Sequence, residues 1–181
     1  MKPSVGYTRT AIGLHWLMAL AIITTFSVGL YMSDLPLSPV KLKLYSWHKW
    51  AGVTIFLLLW FRLAWRLTHR PPASATAIPA WQQSTAKLAH LLFYVLMIAV
   101  PLSGWLMSSA KGFQTVYFEL LPLPDLLGKN KALGETLTAV HQTLNFSLAG
   151  LLLLHVTAVM KHHLIERNDI LARMLPFIQK L

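Results

Sequence analysis

Eight histidines stand in a chain of 181 residues that is 55% hydrophobic and only 12% charged. Imidazole ligates metals and carries protons near neutral pH. An ionisable side chain inside an apolar segment is costly, and it usually faces a bundle interior for a functional reason. His141 and His155 are 14 residues apart. At about 100° per residue that spacing falls within about 40° of four whole turns, so on one helix the two rings share a face, about 21 Å apart along the axis. The chain has no cysteine. Disulfides, iron–sulfur clusters, thiolate zinc sites and covalent thioether attachment of a macrocycle are therefore excluded together, and the redox state of the compartment does not matter to the chain.

The elements that position these rings are apolar runs. A membrane-crossing helix needs about 20 mostly apolar residues, and four stretches qualify: 11–32, 47–67, 88–110 and 137–163. The mean hydropathy of +0.53 agrees. The charge is half of what a soluble domain carries, which argues against an ordinary soluble enzyme and against disorder. The formal net charge of +10 could signal nucleic acid or a membrane surface; the apolar runs decide for the lipid bilayer, and no nucleic-acid partner is expected. The first run follows Lys2 and Arg9 but is too long for a signal-peptide core, so it reads as a retained span. The expected fold class is an all-α membrane protein, residues 1–181 forming one four-transmembrane-helix bundle.

Pro101 and Gly104 predict a local kink in the third span. Pro71, Pro72, Ser74 and Pro79 make the second connection, 68–86, a loop. Residues 113–121 are apolar but too short to cross, and they read as an interfacial segment. Ten Lys and Arg flank the side carrying the N-terminus, the second connection and the C-terminus, against six on the opposite side. The positive-inside rule then places both termini in the cytoplasm.

With that orientation His15 lies about one turn inside the first span, at the depth of His155, while His48 opens the second span at the depth of His141. Two level pairs result, one near each membrane face. Two imidazoles facing across a bundle core can hold a haem iron from both sides. Bare zinc or copper wants three or four ligands, with thiolates or carboxylates among them; the spans offer no Cys, and acids only at their ends. Residue chemistry therefore favours haem over a bare metal. A hydrogen-bonded helix contact remains the bland alternative for any single His. Gly13, Gly29, Gly52, Ala149 and Gly150 would make room for a flat macrocycle, though small residues are common at membrane helix interfaces anyway. His90 begins the third span where it could face a haem propionate, a quinone or headgroups. His162 stays on the face of His155, or serves as a helix C-terminal cation. His69, between Arg66 and Arg70, reads as interfacial.

The segments Ile12-Gly-Leu-His15-Trp16, Trp60-Phe-Arg62-Leu, Arg66 to Pro72, Pro79-Ala-Trp81-Gln82, Pro101-Leu-Ser-Gly104-Trp105 and Arg173-Met-Leu-Pro176, with His141, His155 and the His162-His163 pair, occur in this order. In these the chain resembles the bacterial cytochrome b561 family of multi-pass inner-membrane cytochromes. The resemblance implies two non-covalent b haems with bis-His ligation, His15 with His155 and His48 with His141. One branch of the family oxidises superoxide and passes the electron to ubiquinone; by similarity His162 and His90 would serve the quinone or proton-handling end. Where that branch tends to read Lys-Asp-Asn-Thr after the His pair, this chain reads Arg167-Asn168-Asp169-Ile170, a departure that bears on the substrate and not on the haems.

Three functions are thus expected to compete. The first is an oxidoreductase acting on superoxide and quinone, with Lys41, Lys43 and Lys49 available to steer the anion. The second is an electron-relay subunit serving a separate redox protein. The third is a cofactor-free transporter.

Overall fold

The computed structural model describes residues 6–69 and 79–175. Its elements are α1 (Arg9–Asp34), α2 (Pro39–Thr68), α3 (Ala80–Ala110), β1 (Val116–Tyr117), β2 (Leu121–Pro122) and α4 (Lys131–Leu164). The charges Lys2, Arg70 and Lys180, together with Pro71, Pro72, Ser74 and Pro176, lie outside the described residues.

All four helices are long and apolar enough to cross a membrane. At 26 to 34 residues each they span about 39–51 Å, more than the roughly 30 Å of hydrocarbon. All four start earlier than the apolar runs predicted, because caps rather than hydropathy set where a helix begins. Ser38 accepts a hydrogen bond from the Lys41 amide with Pro39 at the first helical position, an arrangement that suits Pro's missing donor. Thr8 and Asn130 cap α1 and α4 in the same manner. His48 therefore sits well inside α2 and not at its start. The predicted loop 68–86 is likewise shorter, since Pro79 directly precedes α3 and residues 80–86 are helical. Pro101 is accommodated within α3, which continues past it to Ala110.

The predicted interfacial segment is a minimal hairpin, β1 pairing antiparallel with β2. Phe118 and Glu119 turn it with φ of 49° and 62°, a left-handed geometry usually given to Gly or Asn. The hairpin is pinned to α2 and α3, while its Phe118, Leu120 and Leu121 stay exposed. The Trp50 indole donates to the Val116 carbonyl at 2.7 Å, the Lys49 ammonium to the Phe113 carbonyl at 2.8 Å, and the Trp105 indole to the Pro124 carbonyl at 3.1 Å.

Met18, Leu59 and Met97 form the buried core where α1, α2 and α3 meet. Only 6–17% of each apolar window is buried within the protein. Apolar helices that leave most of their surface uncovered have lipid as their solvent. The principal helix contacts run α1 to α2, α2 to α3 and α3 to α4; α4 touches α1 and α2 little, and a gap separates it from them.

Candidate functional site

The histidines bridge that gap. His15 on α1 and His155 on α4 face each other with ring centroids 6.4 Å apart. His48 on α2 and His141 on α4 do the same at 6.3 Å, with their planes at 84°. The first pair lies toward the end of the bundle where α1 and α3 begin and α2 and α4 end, called inner; the second lies toward the hairpin, called outer.

The outer rings are fixed. His48 Nδ1 is 3.1 Å from the Thr25 carbonyl of α1. His141 Nδ1 is 3.1 Å from the Val100 carbonyl and 2.9 Å from Ser103 Oγ, both on α3. A carbonyl only accepts, so Nδ1 carries the proton in both rings and Nε2 keeps its lone pair for a metal. Two glycines allow this approach. A Cβ at Gly29 would stand 3.0 Å from His48 Cε1, and one at Gly104 would stand 3.0 Å from His141 Cε1. From sequence Gly104 predicts only a local kink with Pro101, and nothing in the sequence marks Thr25, Val100 or Ser103 as partners of the rings. By contrast, a Cβ at Gly13, Gly52 or Gly150 would meet nothing within 4 Å, so none of these three lies against a histidine ring. A cavity of about 310 Å³ lies between α1 and α4, lined by Ile22, Phe26, Asn145, Leu148, Ala149 and Leu152 among others.

The inner pair is a trio. His90 on α3 sits 6.2 Å from His155, and Phe93 closes on His155 edge-to-face at 5.4 Å. Arg62 lies within electrostatic reach of both His15 and His90. His162 is not brought to this cluster. Two turns beyond His155, its Nδ1 meets Glu166 Oε2 at 2.6 Å, while Lys161 holds Glu166 Oε1 at 2.8 Å and Gln82 of α3 approaches the same oxygen at 3.3 Å. The Lys161 hydrogen bond, followed by that of His162, draws the Glu166 pKa down to about 2. Glu166 carries no sequence signal and Gln82 only its place in the Pro79-Ala-Trp81-Gln82 segment, since their meeting depends on where α4 ends beside α3. His69 stacks on Trp65 at 4.0 Å, the ring planes nearly parallel.

The three outer lysines have structural partners. Lys41 donates to the Ser33 and Leu35 carbonyls at the end of α1, Lys49 holds the hairpin, and Lys43 lies over the Trp47 ring.

A helical membrane bundle with paired imidazoles across an internal gap defines a class of multi-pass membrane cytochromes. The sequence profile of the prokaryotic cytochrome b561 family matches residues 6–177, and the chain belongs to that family. It is 30% identical to cytochrome b561 homolog 2 of Escherichia coli over 93% of this chain and 90% of that protein. It is 28% identical to cytochrome b561 homolog 1 of the same organism, over 94% and 97%. A protein of Yersinia pestis named "Probable superoxide oxidase CybB" is 27% identical, over 94% and 96%. Membership implies b-type haem and an electron-transfer role in a bacterial membrane.

Proposed function

We propose that the chain carries electrons across the bacterial inner membrane through two bis-histidine b haems, the inner held by His15 and His155 and the outer by His48 and His141. The observation that carries this reading is the spacing of the two pairs. Two imidazoles that would hold one iron between them must face each other closely enough to share it. Both pairs do, with ring centroids 6.4 and 6.3 Å apart. The gap supports the choice of partners: His90 is as near to His155 as His15 is, but α3 packs along α4 and leaves no slot there for a macrocycle. Haem, when bound, supplies reversible one-electron transfer.

The residues of the chain do the rest. The Thr25 and Val100 carbonyls hold the outer rings in one tautomer and make them better donors. The apolar walls of the gap keep water from the sites. At the inner end His162, oriented by Glu166, serves a quinone entering from the bilayer and passes it protons; His90 lines the same end. The named relative favours superoxide as donor, two superoxide ions each giving one electron to convert ubiquinone, with two protons, to ubiquinol. Both termini then face the cytoplasm.

The test is a reduced-minus-oxidised spectrum with haem counted per chain, followed by anaerobic quinone reduction under a superoxide source. Two low-spin b haems and superoxide-dependent quinol formation are expected. A colourless, folded protein overturns the haem reading. Two haems with turnover only when a co-purified redox protein is present would replace superoxide by a protein donor.

A further inference from the structure

At the inner end a second cavity, of about 50 Å³, opens where α1, α2 and α3 meet the C-terminal turn; Arg62, Trp65 and Arg66 of α2, Tyr94 of α3 and Thr8 beside α1 line it. Arg62 and Arg66 are one turn apart on α2, so both guanidiniums lie on this side. Among the described residues neither has a carboxylate within ion-pair distance. The two acids at this end are engaged elsewhere, Glu166 with Lys161 and His162 and Asp169 with Arg173. Two unpaired cations at the margin of a low-dielectric bundle are costly until an anion joins them.

The walls are built to hold that anion. Arg66 rests over the Tyr94 ring at 5.8 Å, a contact that fixes its planar fork. Trp65 is clamped by its indole hydrogen bond to Thr8 Oγ1 at 3.1 Å and by the stacked His69. Thr8 is the cap of α1, so the positive end of that helix dipole points at the same space. Trp16 donates to the Met174 carbonyl at 2.9 Å, and this draws the C-terminal turn over the cavity.

We propose that this cavity is an oxyanion site in which Arg62 and Arg66 bind one membrane-borne acidic group, phosphate or carboxylate in chemistry. Arg is suited to such a role because its fork matches both groups. Two sources can deliver the group. An anionic glycerophospholipid would offer its phosphate; the inner haem would offer a propionate, and this second source alone rests on the function proposed above. The site differs from a general basic margin in that two named guanidiniums, not the summed charge of the end, set its affinity.

The experiment uses the full chain in phosphatidylcholine nanodiscs, doped with phosphatidylglycerol. Lipid retained after detergent exchange is read by native mass spectrometry, and haem content and midpoint potentials are read on the same samples. Arg62→Gln with Arg66→Gln is compared with the single Arg→Lys variants, which keep the charge, and with Lys87→Gln, which removes an exposed charge from the same end. Loss of one charge-assisted hydrogen bond weakens binding about tenfold. If phosphatidylglycerol is the ligand, its retention falls by about that factor in the Gln and Lys variants and not in Lys87→Gln, with haem content unchanged. If the ligand is a propionate, lipid retention is unchanged while even the charge-keeping Lys variants shift the potential of the inner haem alone. Equal effects of Lys87→Gln and the arginine variants, or no effect on either readout, overturn the proposal. The lipid readout stands even if the protein proves to carry no haem.

Discussion

An imidazole that is to donate through Nε2 must place its Nδ1 proton elsewhere, and the two pairs differ in how they do so. His48 and His141 give it to helix carbonyls; among the described residues neither inner ring has a hydrogen-bond partner. Ser103→Ala removes one of the two acceptors around His141 Nδ1. It is expected to leave haem content unchanged and to raise the outer midpoint potential, since a less basic ligand stabilises ferric iron less. Redox titration of the two resolved haems checks this, and an unchanged outer potential would deny Ser103 its role. Gly104→Ala sets two effects against each other. Alanine favours a helix by about 1 kcal/mol over glycine, so the cofactor-free protein should be no less stable. The added Cβ would crowd His141 at 3.0 Å, so the outer haem alone should bind more weakly, as haem titration of separated apoprotein would show.

The four helices were legible in the sequence because lipid length and hydropathy constrain them strongly, and the level of each histidine followed from counting residues along them. Helix ends were less legible. Ser38, Pro79 and Asn130 set them through local hydrogen bonds or geometry outside the apolar runs. The hairpin was not legible at all: its strands have two residues each, and its turn uses Phe118 and Glu119 where Asn or Gly would announce it. It is held mainly by contacts with helices far away in sequence. Trp50→Phe, which keeps the ring and loses the bond to Val116, should cost about 1 kcal/mol and raise hydrogen exchange in the hairpin before anywhere else. The end of α4 was half legible, His162 by its register and Glu166 not. The carboxylate pKa falls from the usual 4.5 to about 2, so the network is intact above the usual value and is lost only as pH drops through the depressed one. Between pH 5 and 8 the carboxylate stays charged. Glu166→Gln should therefore slow quinone reduction across that whole range without changing the haem count; an inflection that vanishes in the variant would show that Glu166 itself titrates there.

At the scale of the whole molecule, the bundle is three packed helix pairs with one seam left open, and both histidine pairs cross that seam. Such a fold gains part of its stability from what fills the seam, so binding should raise the melting temperature in proportion to haem occupancy. The excess of Lys and Arg at the inner end sets the expected orientation, and reporter fusions to either terminus should report the cytoplasm. The central claim is the pairing itself, and haem counted per chain in five single variants tests it most directly. His15→Ala and His155→Ala should each lose the same haem, and His48→Ala and His141→Ala the other, while His90→Ala keeps both. Loss of one haem in His90→Ala with retention in His15→Ala, or two haems in all four proposed-ligand variants, would contradict the pairing.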